Sequence, residues 1–406
     1  MRASRIRFAA LVSGACLPVV VAACADDGSS STTPLPADDP AITSEAGSDA
    51  STPLPPKEDG SATDAGATTD AHVDAGGDAA QPAKTCTDEG WCHTVLPPLQ
   101  TLQDVWGDGQ GTVWTVSTQG NILRWDGKAW TIAQAIGVPL YAVWGSSPTD
   151  IWVGSDTGLH HGVGASPSSL TWTTIALAAP VRSIWGTAAN DIWAAGAGTA
   201  ATSGRVFHFT GDAAAADTTD AWAIDPISTT KPARYLKVWG TSSSDVWIGG
   251  DANSYQGFAL RLTADPDGGA PAFRAGNLPT GGSYNFKGGG AIGTSNTFLL
   301  GLGPPETYYT GLSSDNGASF AWTLHNNGFG TGYALNAVWG SSPNDIYIAG
   351  YYGRLRHFDG TTWSISRIAL QNVVPITNEF RAMWGSGPQD VWVVGDRIAL
   401  HKGPKS

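Results

Sequence analysis

The chain has 406 residues, of which 41% are hydrophobic and only 14% charged, with 52 Gly, 18 Trp and 2 Met. That composition suits an aromatic-packed, turn-rich all-β protein, and no long helical period runs through it. With 22 Lys plus Arg against 35 Asp plus Glu, the net charge of −13 argues against nucleic acid as a partner, because binding to phosphates needs clustered cations.

The first element is a targeting segment. Arg2, Arg5 and Arg7 precede an apolar run over residues 8–23, the layout of a secretory signal and too short for a stable membrane anchor. The run ends in Val21-Ala22-Ala23-Cys24, which resembles the lipobox of bacterial lipoproteins. That resemblance implies removal of residues 1–23 and acylation of Cys24, leaving the protein exported and lipid-anchored at the cell envelope, at the outer membrane or cell surface. The other reading is an ordinary small-residue cleavage site. Several acyl chains would hold the protein on a membrane, where one is marginal.

Residues 24–85 form the predicted tether, rich in Ser, Thr, Pro, Ala, Gly and Asp and nearly free of aromatic or branched apolar side chains. Such a stretch cannot offset its ordering entropy. It holds 12 carboxylates against Lys57 and Lys84, so the tether is the acidic part of the chain. As a flexible coil it would span about 45 Å root-mean-square. Cys86 and Cys92 follow, an isolated pair in an exported, oxidising setting, and a disulfide between them is expected. A redox or metal pair would call for C-x-x-C spacing or nearby His ligands.

From Trp91 onward the chain repeats. Seventeen of its 18 Trp fall at three equivalent positions. The first ends a V/I/M-Trp-Gly strand (Trp106, Trp144, Trp185, Trp239, Trp339 and Trp384). The second lies eight residues on (Trp114, Trp152, Trp193, Trp247, Tyr347 and Trp392), and the third opens the last strand of a unit (Trp91, Trp130, Trp172, Trp222, Trp322 and Trp363). Each unit reads as four short strands, with Asp126-Gly127 and Asp359-Gly360 as the clearest turns between third and fourth strands. Radial repetition of such units makes the blades of a β-propeller.

The V-Trp-Gly landmarks are 38, 41, 54, 100 and 45 residues apart, so the interval of 100 hides a degenerate unit, placed at residues 286–290, 298–301, 307–312 and 320–323. The last unit has three strands, and an orphan fourth strand at Trp91 precedes the first. Pairing these fragments closes the ring and removes exposed sheet edges. The expectation is an all-β, seven-bladed propeller over residues 86–406, closed by an N-terminal strand.

Residues present in every unit read as structural. Asp150, Asp191, Asp245, Asp345 and Asp390 recur at one turn, where a carboxylate can bond local backbone N–H groups. Arg124, His160, His208, Arg261, His357 and His401 recur once per unit on the third strand and point radially apart, so they do not converge on a metal. The expectation is no metal, no cofactor and no catalytic cluster.

The loops between second and third strands and between blades vary in length and share one face. Rigid scaffolds carry function on such loops. The candidate ligand-binding residues there are Tyr255, Phe329, Tyr351 and Tyr352 as aromatic contacts, with Asp251, Asn253, Asn326, Asn327, Asn378 and Glu379 as hydrogen-bonding groups.

Two resemblances bear on activity. Residues 102–127 resemble a tectonin repeat, a lectin propeller module, and the later units resemble the V-W-G-S-x-P-x-D-I-W-x-x-G repeat of bacterial lipoproteins. These imply a monomeric, non-catalytic surface protein that binds an extracellular glycan or protein and meets the membrane only through its lipid. Ser313-Ser-Asp315-Asn-Gly317-Ala-Ser-Phe320 matches the Asp-box of sialidases and other glycoside hydrolases. It implies the alternative, a hydrolase or lyase needing two facing carboxylates. A structural envelope or adhesion subunit is the third reading.

Overall fold

The computed structural model describes residues 86–200, 202–252, 257–265, 267–278, 286–301, 307–326, 335–369 and 376–403. The chain divides into units of residues 1–77 and 78–406, and all the described residues belong to the second. The signal, the tether and Cys24 lie outside the described residues.

The described residues form seven four-stranded antiparallel sheets, the blades of a propeller. Their inner strands are Leu102–Gly107, Leu140–Ser147, Val181–Ala188, Arg234–Ser242, Phe286–Ile292, Leu335–Ser342 and Phe380–Gly387. Each packs on the inner strand of the next blade, and the last packs on the first, which closes the ring. The degenerate unit is a complete fifth blade whose outer strand is Ala321–Asn326. Blade 7 borrows its fourth strand from the other end of the chain, with Trp91 opposite Lys402, Cys92 opposite His401 and His93 opposite Leu400. The Cys86–Cys92 disulfide lies immediately beside that strand.

The three aromatic positions of the repeat have two jobs, both between blades. The first ring lies over the glycine of the next blade: Trp106 over Gly145, Trp144 over Gly186, Trp185 over Gly240, Trp339 over Gly385 and Trp384 over Gly107. A Cβ on Gly145 would come within 2.7 Å of the Trp106 ring, so the Gly after each Trp is there to admit its neighbour's indole. Blade 5 has Gly290 where the others have Trp, and Ile292 covers Gly340 instead.

The second and third positions meet across every junction. Around the ring the pairs are Trp114–Trp172, Trp152–Trp222, Trp193–Phe273, Trp247–Trp322, Tyr308–Trp363, Tyr347–Trp91 and Trp392–Trp130. Their centroids are 5.2 to 6.3 Å apart and the rings meet edge to face. Such pairs are worth about 0.5–1.5 kcal/mol each beyond the area they bury. Phe273 and Tyr308 fill the junctions where the repeat lacks a tryptophan.

The recurrent aspartates bond differently from the sequence expectation. Asp150 accepts from the Ser146 hydroxyl at 2.7 Å and pairs with His161 at 2.9 Å, and His161 stacks on Trp152 at 3.7 Å. The same clamp recurs as Thr187–Asp191–His208–Trp193, Thr241–Asp245–Arg261–Trp247, Ser341–Asp345–His357–Tyr347 and Ser386–Asp390–His401–Trp392. The carboxylate therefore ties the first turn to the third strand. Blade 1 has Thr112 at this position, and its turn is held by local bonding, with Asp108 accepting from the Gln110 and Thr112 N–H groups.

The clamp residue of blade 2 is His161, not the adjacent His160. Register settles it: Trp152 lies opposite His161, as Trp193 lies opposite His208. His160 is on the other side of the strand, bonded to Ser155 and Thr174, where burial pushes its pKa down. His161 also bonds Asp217 of blade 3 at 2.6 Å.

Two turns follow their sequence signals. Asp126 accepts from the N–H groups of Lys128 and Ala129, and Gly127 supplies the positive φ of +94°. In the Asp-box, Asp315 accepts from the Ser313 and Ser319 hydroxyls and the Ser319 N–H, which hold its carboxyl far below the usual range. That box also joins blades, since Arg261 of blade 4 donates to the Gly317 carbonyl.

Candidate functional site

Every inner strand carries a β-bulge within its first few residues. The register shifts fall between Leu102 and Asp104, Leu140 and Ala142, Val181 and Ser183, Tyr235 and Lys237, Phe286 and Gly288, Leu335 and Ala337, and Phe380 and Ala382. A bulge adds an unpaired residue and re-aims its side chain. The extra residues are Gln103, Tyr141, Arg182, Leu236, Lys287, Asn336 and Arg381. Before them stand only apolar or aromatic residues (Leu102, Leu140, Val181, Tyr235, Phe286, Leu335 and Phe380), all buried. The backbone is thus constant around the ring, while the side chain it presents changes from blade to blade.

The inner strands run along the propeller axis, and this bulged end opens on the face that carries the variable loops. Gln103, Tyr141, Arg182, Leu236, Asn336 and Arg381 line a cavity of about 140 Å³ together with Asp104 and Lys237. Contacts tie the bulges to the loops. The Arg182 guanidinium lies 3.6 Å above the Tyr141 ring and donates to Asp156 at 2.9 Å, and the Tyr141 hydroxyl donates to the same carboxylate at 3.0 Å. On the other side Glu379 accepts from Arg381 and, at 3.0 Å, from the Asn336 amide.

Deeper in the cavity, Asp104 accepts from its neighbour Val105 N–H at 3.0 Å and from Val143 N–H of blade 2 at 3.1 Å. Burial raises its pKa above the ordinary aspartate value, against the opposing pull of Lys237 on blade 4 and of those two N–H groups. Ser183 makes the equivalent link to Val238, so this position stitches neighbouring blades where its side chain is polar. Two donors are left over. The Arg381 Nε is buried and finds no acceptor among the described residues, and no hydrogen bond reaches the Lys237 ammonium among them. Native proteins rarely leave a buried donor such as the Arg381 Nε unmet without water or a ligand.

The structure gathers some of the sequence candidates at this mouth and withdraws another. Tyr351 sits beside Glu379, and its hydroxyl is pushed up first by burial and then by that carboxylate. Asn378 donates to the Asp396 carbonyl at 2.7 Å, while its own carbonyl accepts from Gly353 N–H. Tyr352 is 58% exposed at a positive φ, in the loop of blade 6. Asp251 is 1% exposed, with its carboxylate gripped by the Arg234 fork at 2.5 and 2.6 Å, so it braces the loop base and offers little to a ligand. Asn326 closes the outer strand of blade 5, opposite Thr307. Asn253, Tyr255, Asn327 and Phe329 lie outside the described residues.

Sequence reasoning missed the mouth itself: Gln103, Asp104, Tyr141, Arg182, Lys237, Asn336 and Arg381. A signal was present. In each V-Trp-Gly unit the third residue before the Trp is the extra one, and it reads Gln, Tyr, Arg, Leu, Asn and Arg.

No family model matches the sequence, and no curated protein is similar to it in sequence. Solved structures match the fold. YCF48 bound to D1 peptide is similar at a TM-score of 0.57 and 14% identity, over 79% of this chain and 99% of that one. YCF48 from Cyanidioschyzon merolae is similar at 0.58 and 14% identity, over 78% and 99%. A catalytically inactive virginiamycin B lyase from Staphylococcus aureus, solved with quinupristin, is similar at 0.56 and 12% identity, over 77% and 97%. The chain is a seven-bladed β-propeller whose structural neighbours include both a peptide binder and a lyase.

Proposed function

We propose that the protein is a surface-anchored, non-catalytic binding protein that recognises an extracellular glycan or protein through the variable-loop face, centred on the axial mouth. One observation carries this reading. A backbone bulge repeated in all seven blades presents a different side chain in almost every one, as a recognition surface requires and a purely structural position does not. A binding role in general agrees with the propeller neighbours, among them the peptide-bound YCF48.

The carboxylates at the mouth favour binding over hydrolysis. Asp156 and Glu379 are engaged by Arg182 and Arg381, and Asp104 accepts two backbone N–H groups. A glycosidase needs two carboxyl groups free to face the scissile bond. The anchoring part of the proposal rests on the charged and apolar signal and on Cys24 after Val21-Ala22-Ala23.

Two experiments test it. On a glycan array and in a pull-down from envelope extracts, the full chain should retain a ligand that Lys237→Met releases, with no reducing ends set free. Turnover of any retained glycan would overturn the non-catalytic reading. Detergent-phase partitioning of the expressed protein should be lost in Cys24→Ala. A variant that partitions like the parent would remove the anchor.

A further inference from the structure

We propose that the axial mouth holds one acidic sugar residue, its carboxylate between Lys237 and Arg381 and its hydroxyls on Gln103 and Asn336. This inference rests on the binding reading above and narrows its ligand class.

Two donors at the mouth lack a hydrogen-bond acceptor among the described residues. Lys237 and Arg381 reach the same cavity from blades 4 and 7; the buried Arg381 Nε has no acceptor among the described residues, and no hydrogen bond among them reaches the Lys237 ammonium, which interacts with the Asp104 carboxylate through charge alone. Arg381 is not free to swing away, because Glu379 holds one end of its guanidinium, while its Nε is left without an acceptor among the described residues. A guanidinium fixed in this manner loses little entropy when it takes up a carboxylate.

Charge points the same way. Of the three cations that line the cavity, Arg182 and Arg381 are paired with Asp156 and Glu379, which leaves Lys237 facing Asp104. Burial disfavours the charged form of that carboxylate, which weakens its repulsion of an incoming anion.

The remaining lining selects a polyhydroxylated partner. The Asn336 amide nitrogen is spent on Glu379 and on the Phe380 carbonyl, leaving its carbonyl oxygen to accept. Gln103 makes one long bond to Thr101 at 3.5 Å and otherwise keeps its amide for the cavity. Hydroxyl groups next to a carboxylate would meet those acceptors, and about 140 Å³ fits one small polar unit rather than an apolar group.

Titration of the full chain with a glucuronate-terminated disaccharide, its methyl ester and its glucose counterpart decides the matter. The acid should bind, with the ester and the neutral sugar weaker by about tenfold or more, the usual worth of a charge-assisted contact. Lys237→Met should weaken the acid by about the same factor and leave the denaturation midpoint in place. Arg381→Lys, which keeps the charge and loses the fork, should cost less. Equal binding of acid and ester, full affinity in folded Lys237→Met, or no binding of the acid would each overturn the inference. Preferential binding of a peptide with a free C-terminal carboxylate would overturn it too. Neutral glycans or protein ligands retained in the array and pull-down would leave the broader binding reading standing.

Discussion

Two sets of side chains in the same sheets obey opposite rules. The clamp between first turn and third strand keeps its chemistry in blades 2, 3, 4, 6 and 7: a Ser or Thr hydroxyl, an Asp, a His or Arg, and the aromatic it stacks on. The bulge near the axis keeps its backbone and changes its side chain. Each junction asks the same thing of every blade, so a residue serving closure recurs. A ligand on the axis meets each blade once and asks something different of each. Constancy marks scaffold, and variety on a constant backbone marks recognition.

The largest effect should come from the scaffold where the ring closes. Trp392 is 2% exposed, meets Trp125 and Trp130 of blade 1 at 5.2 and 5.3 Å, and stacks on His401 at 4.1 Å. Trp392→Ala should lower stability by about 3–5 kcal/mol in urea denaturation, the usual cost of emptying a buried aromatic site. A loss below about 1 kcal/mol would mean that the junction aromatics do not carry closure.

Next comes the latch. Replacing Cys86 and Cys92 together with Ser removes a short covalent loop beside the closing strand and should cost about 2 kcal/mol. Reducing agent should lower the midpoint of the parent chain by a similar amount and leave the double variant unmoved. The comparison sharpens if the two treatments coincide, because the disulfide then acts only through the strand that completes blade 7.

The clamp should show itself through pH. The His401 hydrogen bond, aided by Ser386, holds the Asp390 carboxyl below its ordinary value despite burial. A depressed carboxylate stabilises the fold above its unfolded pKa of about 3.9 and loses that contribution as pH falls through the folded value. Asp390→Asn should therefore cost about 1–2 kcal/mol near neutrality, with a gap to the parent that closes below about pH 4. A gap independent of pH would show that geometry rather than charge sets the worth of the clamp.

Blade number and the hidden fifth blade were legible because both rest on the spacing of large aromatic residues, which period alone reveals, and the latch was legible as an isolated cysteine pair. The partner within a clamp was not. His160 and His161 are adjacent, and only the register opposite Trp152 decides which one meets Asp150. The bulges were hidden for a related reason. One inserted residue reverses the alternation upstream of it, so counting back from Trp106 by twos puts Leu102 on the correct face only by ignoring Gln103. Asp251 misled because its partner Arg234 lies on the inner strand, 17 residues away, and nothing local announces that a loop carboxylate will be buried.

The smallest expected effect bears hardest on the comparison. Gln103 is half-buried at the mouth and makes only its one long bond, so Gln103→Ala should change stability by no more than about 0.5 kcal/mol. Its equivalent on blade 2, Tyr141, is braced by Arg182 and Asp156, and Tyr141→Ala should cost more without approaching Trp392→Ala. If denaturation midpoints instead fall alike for Gln103→Ala and Asp390→Asn, the bulge residues belong to the scaffold. The variety around the axis would then record relaxed packing, and the mouth would lose its claim to be a recognition surface.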